Sequence, residues 1–228
     1  MSYQGIKLSA SVICMNWLNL KSSLEKMAQL YIDYLHYDIC DSYFVPEFGL
    51  PFYLIQKIID NTSIQSDYHI MVEEPKRIFE FIPFQKGARV NIHYEACRNL
   101  HRELVALRRM GFLPGVVINP ATTLDQIEYV IEEVSQVTIM TVNPGFPSQQ
   151  MIPQCLKKIQ RLKDWKKQAG YELSIIADGN VSFENIPAMI AAGADTLVLG
   201  TSGLFVNGLT IDECFEQLMN AINKGMGV

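Results

Sequence analysis

Paired cysteines, basic blocks, membrane-length apolar runs and linker composition are missing from this chain, and each absence excludes something. The five cysteines, Cys14, Cys40, Cys97, Cys155 and Cys214, are scattered, odd in number and form no Cys-x-x-Cys. That pattern excludes a disulfide framework and a cysteine-zinc site, and it predicts a reducing, cytoplasmic setting. Lys and Arg number 19 against 24 Asp and Glu, for a net charge of −5. With no long basic run, nucleic acid is not an expected partner. Small anions stay within reach, because backbone amides hold them without net positive charge. No apolar run is long enough to span a bilayer, so no membrane partner is expected. The stretch from Met1 to Lys7 also lacks the basic-then-apolar pattern of a secretory signal.

What remains is ample core material. The chain has 228 residues, 49% hydrophobic and 19% charged, with no composition break, which predicts one domain over 1–228. Strand and helix patterns alternate along it. Strands are expected at Ile6–Ile13, around His36 and Asp38, at Asp67–Val72, Ala88–His93, Gly115–Asn119, Val137–Val142, Leu173–Ala177 and Thr196–Leu199. Helical stripes follow them. The first carries Leu18, Leu20, Leu24 and Met27 behind Asn16 as a cap, and the next covers Phe52–Ile59 behind Pro51. Pro75–Phe81 and Cys97–Met110 come next, the latter ended by Gly111. Thr123 and Gln126 have capping-box spacing before Leu124, Ile127, Ile131 and Val134. A long helix shows Ile152, Cys155, Ile159, Leu162 and Trp165 on one side and a solvated lysine-rich face on the other. Ile186–Ala192 and Ile211–Ile222 complete the series. Eight strand–helix pairs in this length predict a single (β/α)8 barrel, an α/β fold. An open doubly wound sheet is disfavoured, because no Gly-x-Gly-x-x-Gly follows the first strand.

The chemistry collects where such a barrel keeps it, at the carboxyl ends of its strands. His36 and Asp38 are two residues apart, so an extended strand turns both to one face. His69 closes the third strand and Asp178 the seventh. Two imidazoles and two carboxylates on one axis suit Zn²⁺, Mn²⁺, Fe²⁺ or Co²⁺. His93 reads as a support held by Glu95, and His101 as a surface residue. The stretches Asn143–Ser148, Asp178–Asn180 and Gly200–Gly203 supply glycines that let amides approach an anion, and a short helix opening near Thr201 would add its positive end. A metal beside a phosphate site suggests proton abstraction next to a carbonyl on a sugar phosphate. Asp38 and Asp178, from distant strands, could then work on opposite faces of one carbon.

These residues resemble the ribulose-phosphate 3-epimerase family over nearly the whole chain. The resemblance rests on Leu8–Ser11, His36-Tyr37-Asp38-Ile39-Cys40-Asp41, Phe44-Val45-Pro46, Asp67–Met71, Asn119–Thr122, Asn143-Pro144-Gly145-Phe146, Asp178-Gly179 and Gly200–Phe205. It implies one bound divalent ion, zinc first, with iron, manganese or cobalt as alternatives, held by His36, Asp38, His69 and Asp178. It implies Asp38 and Asp178 as the two catalytic bases, exchanging roles between directions through a metal-stabilised enediolate. Ser11, His69, Met71 and Met140 would meet the substrate. Gly145, Phe146, Pro147, Ser148, Gly179, Asn180, Gly200 and Thr201 would surround the phosphate. The substrate implied is ribulose 5-phosphate and its epimer xylulose 5-phosphate, and the assembly a homo-oligomer. Some segments depart from the family pattern. Its Met-Asp-Gly-His reads Cys40-Asp41-Ser42-Tyr43, its Pro-Asn reads Pro46-Glu47, its Gly-Phe-Gly-Gly-Gln reads Gly145–Gln149, and its Asp-Gly-Gly reads Asp178-Gly179-Asn180. Cys14-Met15, Met140-Thr141-Val142 and Gly200–Phe205 are closer to an allulose-6-phosphate 3-epimerase branch, whose substrate is one carbon longer. A sugar-phosphate-binding barrel without turnover is the reading of a different class. A metal-free decarboxylase or lyase is disfavoured by the lack of an Asp-x-Lys-x-x-Asp segment.

Overall fold

The computed structural model describes residues 3, 5–146 and 148–227. Its strands are β1 (Lys7–Ser11), β2 (Tyr34–Cys40), β3 (Gln65–Met71), β4 (Arg89–His93), β5 (Leu113–Ile118), β6 (Gln136–Met140), β7 (Ser174–Asp178) and β8 (Thr196–Leu199). They run parallel in chain order, and β8 closes onto β1 with Lys7 opposite Thr196 and Ala10 opposite Leu199. The fold is therefore the closed (β/α)8 barrel that the alternation of patterns predicts.

Among the described residues, six α-helices pack outside it: α1 (Leu20–Gln29), α2 (Phe52–Ile59), α3 (Leu100–Arg109), α4 (Gln154–Ala169), α5 (Ile186–Ala192) and α6 (Ile211–Met226). Two expected helices are shorter or tighter than the pattern suggests. After β3 only Pro75–Ile78 forms a 3-10 turn. Pro83 disfavours helical backbone at Ile82, and Phe79 and Ile82 turn into the core instead. After β5, Leu124–Glu133 winds as a 3-10 segment. Its buried residues Leu124, Ile127 and Ile131 lie three and four positions apart, a spacing that either winding can bury. The expected capping box at Thr123 does not form, because the Gln126 amide oxygen accepts from the Tyr94 hydroxyl at 2.6 Å. A capping box does form at Thr210 and Glu213, ahead of α6. Asn16 caps a separate turn, Trp17–Asn19, so Leu18 is 95% exposed rather than part of the α1 stripe.

Strand alternation divides the buried residues into two zones. Leu8, Leu35, Ile70, Ile92, Val116, Ile139 and Ala177 face outward into a continuous apolar layer beneath the helices. The barrel interior is polar: Ser9, Asp67, Asn91, Gln136, Thr138 and Thr196 are all buried there. Burying such groups is tolerable only when they satisfy one another. Ser9 donates to Asp67 Oδ2 at 2.8 Å, Asn91 donates to Asp67 Oδ1 at 2.7 Å, and Gln136 donates to Asn91 Oδ1 at 3.0 Å. Gly115 of β5 makes room for this layer. A Cβ there would lie 2.1 Å from Asn91 Oδ1 and 2.6 Å from Gln136 Nε2. The Gly115→Ala variant is therefore expected to lose about 1–3 kcal/mol of stability, the usual scale of core overpacking, read as a lowered urea midpoint.

Candidate metal centre and active site

β2 turns His36 and Asp38 inward, and the β2–β3 register sets His69 directly beside Asp38. Asp178 ends β7. Four atoms meet at the centre of the mouth. His36 Nε2 lies 3.4 Å from Asp38 Oδ1 and 3.6 Å from Asp178 Oδ2. His69 Nδ1 lies 3.6 Å from Asp38 Oδ1 and 3.2 Å from Asp178 Oδ2. His36, His69 and Asp178 form the tightest set, with one donor atom each, all within 4.8 Å of one another. His36 Nε2 and His69 Nδ1 are buried and have no hydrogen-bond partner. Two orphaned nitrogens facing two carboxylates fit a small cation. The edges of a tetrahedron of ligands at about 2.0–2.1 Å are about 3.3–3.4 Å, and the measured separations bracket that value.

Each imidazole is held from behind. His36 Nδ1 is 3.0 Å from Asp67 Oδ2, a carboxylate that Ser9 and Asn91 also fix. His69 Nε2 is 2.8 Å from His93 Nε2, and His93 Nδ1 is 3.3 Å from Glu95 Oε2. Asp38 keeps its second oxygen on Ser11, whose hydroxyl donates at 2.9 Å. Titration follows from these contacts. Burial disfavours a charged His36, but the carboxylates of Asp38 and Asp67 outweigh it and hold the ring well above the ordinary 6.5. Burial likewise opposes ionisation of Asp38, yet His36 and His69 keep its carboxyl below the usual range. Asp67 is drawn down to about 2, against its burial, chiefly by His36 and by the charge of Arg89. His93 goes the other way, to about 4, because burial dominates and the Glu95 carboxylate only partly offsets it.

Above the centre opens a cavity of about 540 Å³. Its floor and inner wall include Ser11, Asp38, His69, Met71, Met140 and Asp178. Met140 packs with Val117 and Val142 in a small apolar cluster of its own. The rim includes Gly145, Phe146, Ser148, Gly179, Asn180, Gly200 and Thr201, so the three glycine-bearing loops do reach one cavity. Pro147 lies outside the described residues. No Lys or Arg is among the described lining residues, so an anion here would rely on backbone amides and loop hydroxyls. The helix expected near Thr201 is absent. The amides of Gly203, Leu204 and Phe205 all turn back to the carbonyl of Gly200, and the flanking glycines favour that tight turn.

The departures from the family pattern fall into place here. Ser42, Ser148 and Asn180 stand where the family pattern has glycine, and their φ angles are +59°, +61° and +44°. The loops keep a left-handed backbone although the glycines are gone. Local bonds hold two of these turns. The Asp41 carboxylate accepts the amides of Tyr43, Phe44 and Glu73, each at 2.8 Å. Asn180 accepts from the Asn185 amide at 2.7 Å and donates to the Gln149 carbonyl. The loop after β2 then returns along the strand, with Leu50 N–H bonded to the Asp38 carbonyl at 2.9 Å. Gly49 permits that approach, since a Cβ there would lie 2.2 Å from Cys40 N and 2.5 Å from Asp38 O.

Asp67 is the functional neighbour that the sequence reading passed over. It shares the strand period of His69, two residues on, and that spacing was the available signal. Cys14, Cys40 and Glu47, which mark departures or branch likeness in the sequence, also line the cavity, as does Trp17, which the sequence did not point to. His101 is exposed on α3, as expected.

Comparison with known proteins agrees with this geometry. The model of the "Ribulose-phosphate 3 epimerase family" matches residues 7–205. A ribulose-phosphate 3-epimerase of Methanocaldococcus jannaschii is 32% identical over 222 residues, covering 96% of this chain and 94% of that one. The Bacillus subtilis protein of the same name is 35% identical over 201 residues, covering 86% and 91%. Among solved structures, a thiamine phosphate pyrophosphorylase from Pyrococcus furiosus superposes with a TM-score of 0.62 at 11% identity, over 99% of both chains, a likeness of fold alone. No helix among the described residues is long and apolar enough to cross a membrane. The barrel, the convergent His and Asp residues and the extent of the match agree, and the chain belongs to the ribulose-phosphate 3-epimerase family.

Proposed function

We propose that this chain is a metal-dependent ketose-phosphate 3-epimerase that interconverts D-ribulose 5-phosphate and D-xylulose 5-phosphate by two-base proton transfer. The observation that carries the reading is the pair Asp38 and Asp178, each within 3.6 Å of both orphaned imidazole nitrogens. His36, Asp38, His69 and Asp178 would hold one divalent ion, and a nitrogen–oxygen set at tetrahedral spacing favours zinc. When bound, the ion supplies positive charge opposite the negative charge that develops on the substrate oxygens.

The remaining work belongs to the protein's own groups. Asp38 takes the proton from C3 as the C–H electrons enter the C2–C3 bond. Asp178 returns a proton to the opposite face of C3, which inverts that carbon, and the reverse reaction exchanges the roles. Ser11 orients Asp38 through the 2.9 Å bond and lies within reach of the substrate. Met71 and Met140 form apolar walls that keep water from the carbanionic carbon. The loops that carry Gly145, Phe146 and Ser148, Gly179-Asn180 and Gly200-Thr201 take the phosphate through backbone amides, with Pro147 at most a neighbour since its nitrogen carries no hydrogen. A homo-oligomer is the assembly that goes with this reading, supported by the family resemblance.

The test is incubation of zinc-loaded protein in D₂O with ribulose 5-phosphate and, separately, allulose 6-phosphate. Deuterium is expected at C3 of the pentulose phosphate. Faster exchange into the hexulose phosphate would move the assignment to the longer substrate, and exchange into neither would leave a sugar-phosphate-binding barrel. Asp38→Asn and Asp178→Asn should each lower kcat by roughly 10²–10⁴-fold, the usual worth of a positioned acid or base. Near-normal turnover in either variant would sink the two-base mechanism. Chelation should abolish exchange and lower the melting temperature together, since an ion bound only to the folded state stabilises it. Full activity in metal-stripped protein would count against the four ligands.

A further inference from the structure

His69 is approached from both of its nitrogens. Nδ1 is the buried atom without a protein partner, facing Asp38 and Asp178. Nε2 meets Nε2 of His93 at 2.8 Å, and the two rings lie edge to edge, 5.0 Å between centroids and 18° between planes. Beyond His93 stands Glu95, whose Oε2 is 3.3 Å from His93 Nδ1. Its other oxygen accepts the Asn119 amide at 2.9 Å and the Thr122 hydroxyl. We propose that His93 and Glu95 are positioning residues, a relay that fixes the tautomer of His69 and aims its Nδ1 lone pair at the metal position.

The argument is one of donors and acceptors, and it rests on the metal reading above. A neutral imidazole carries one N–H. If His69 is to offer Nδ1 to a cation, its proton sits on Nε2 and must be donated. Among the described residues the partner at that position is His93 Nε2, which therefore has to be bare. The proton of His93 then lies on Nδ1 and goes to Glu95. Glu95 is a pure acceptor, and its second oxygen is already engaged by two donors from the loop after β5. The opposite tautomer of His93 would set two N–H groups against each other 2.8 Å apart and leave Glu95 without its donor. His36 receives the same instruction more directly, with Asp67 on its Nδ1. One ligand is thus backed by a carboxylate, and the other by a carboxylate acting through a second imidazole. Phe44 packs against His93, ring centroids 4.8 Å apart, and steadies the intermediate ring.

Three variants separate this role from simple packing. His93→Leu removes the acceptor. His93→Gln restores an oxygen near the former Nε2. Glu95→Gln keeps the shape but supplies a donor where only acceptors fit. Metal-stripped full-length protein is titrated with Zn²⁺ against a chelating indicator. Affinity is expected to fall about 10–100-fold in His93→Leu, the usual effect of losing such a partner. His93→Gln should recover most of it, and Glu95→Gln should fall between. Nitrogen-15 spectra of the wild type should show His93 protonated on Nδ1 and bare on Nε2. A merely structural role would instead lower the metal-free melting temperature and leave zinc affinity unchanged. Unchanged affinity in both His93→Leu and Glu95→Gln, or a proton on His93 Nε2, overturns the relay. If His93→Leu does not fold, Glu95→Gln decides alone. A wild type that takes up no zinc defeats the metal reading itself, a result distinct from failure of the relay.

Discussion

A protein interior does not hold two carboxylates, each within 3.6 Å of the same two imidazole nitrogens, without a compensating charge. In the protein alone, Asp38 and Asp67 favour the protonated form of His36 against the cost of burial. A divalent ion does the same task with more charge and with directed bonds, and its binding would release the proton. The orphaned nitrogens say which of the two the site is shaped for. A proton on His36 would occupy one ring atom, whereas both rings turn a nitrogen without a hydrogen-bond partner to the same point.

The polar layer beneath the site is the second half of that constraint. Asp67 is buried with two oxygens and three partners, and it ties β1, β2, β3 and β4 together through Ser9, His36 and Asn91. An apolar barrel interior would pack as densely, but nothing in it would fix the His36 ring. Ligand orientation is thus built one layer below the ligands. The opening of space at Gly115 belongs to the same device, because it lets Asn91 of β4 and Gln136 of β6 meet over β5.

Strand positions were legible because apolar alternation and the His36–Asp38 spacing depend only on neighbours in the chain. Asp178 and His69 were legible because each ends an apolar run, where a barrel keeps its chemistry. Register was not legible. That Asp38 lies beside His69, and that Asp67 reaches His36, follows from strand pairing that one sequence does not record. The His93–His69 contact joins neighbouring strands in the same way. The two 3-10 segments are hidden for a related reason: amphipathic spacing does not separate a tight three-residue turn from an α-helix, and for the segment after β3 the choice falls to Pro83. The missing helix at Thr201 was an inference from barrel habit, and the glycines around it favour a turn.

The left-handed residues at Ser42, Ser148 and Asn180 bear on how the mouth behaves before any sugar arrives. Each costs of order 1 kcal/mol in the folded loop relative to glycine, less for Asn than for Ser. Each also strips the unfolded chain of conformations that a glycine would allow it. The two effects oppose one another in stability but act together on motion. A loop that has given up one of its glycines has fewer alternative shapes to visit, so more of its geometry is inherited from the fold. In such a mouth, selectivity between a five-carbon and a six-carbon phosphate would be a matter of fixed distance, in the manner of a gauge.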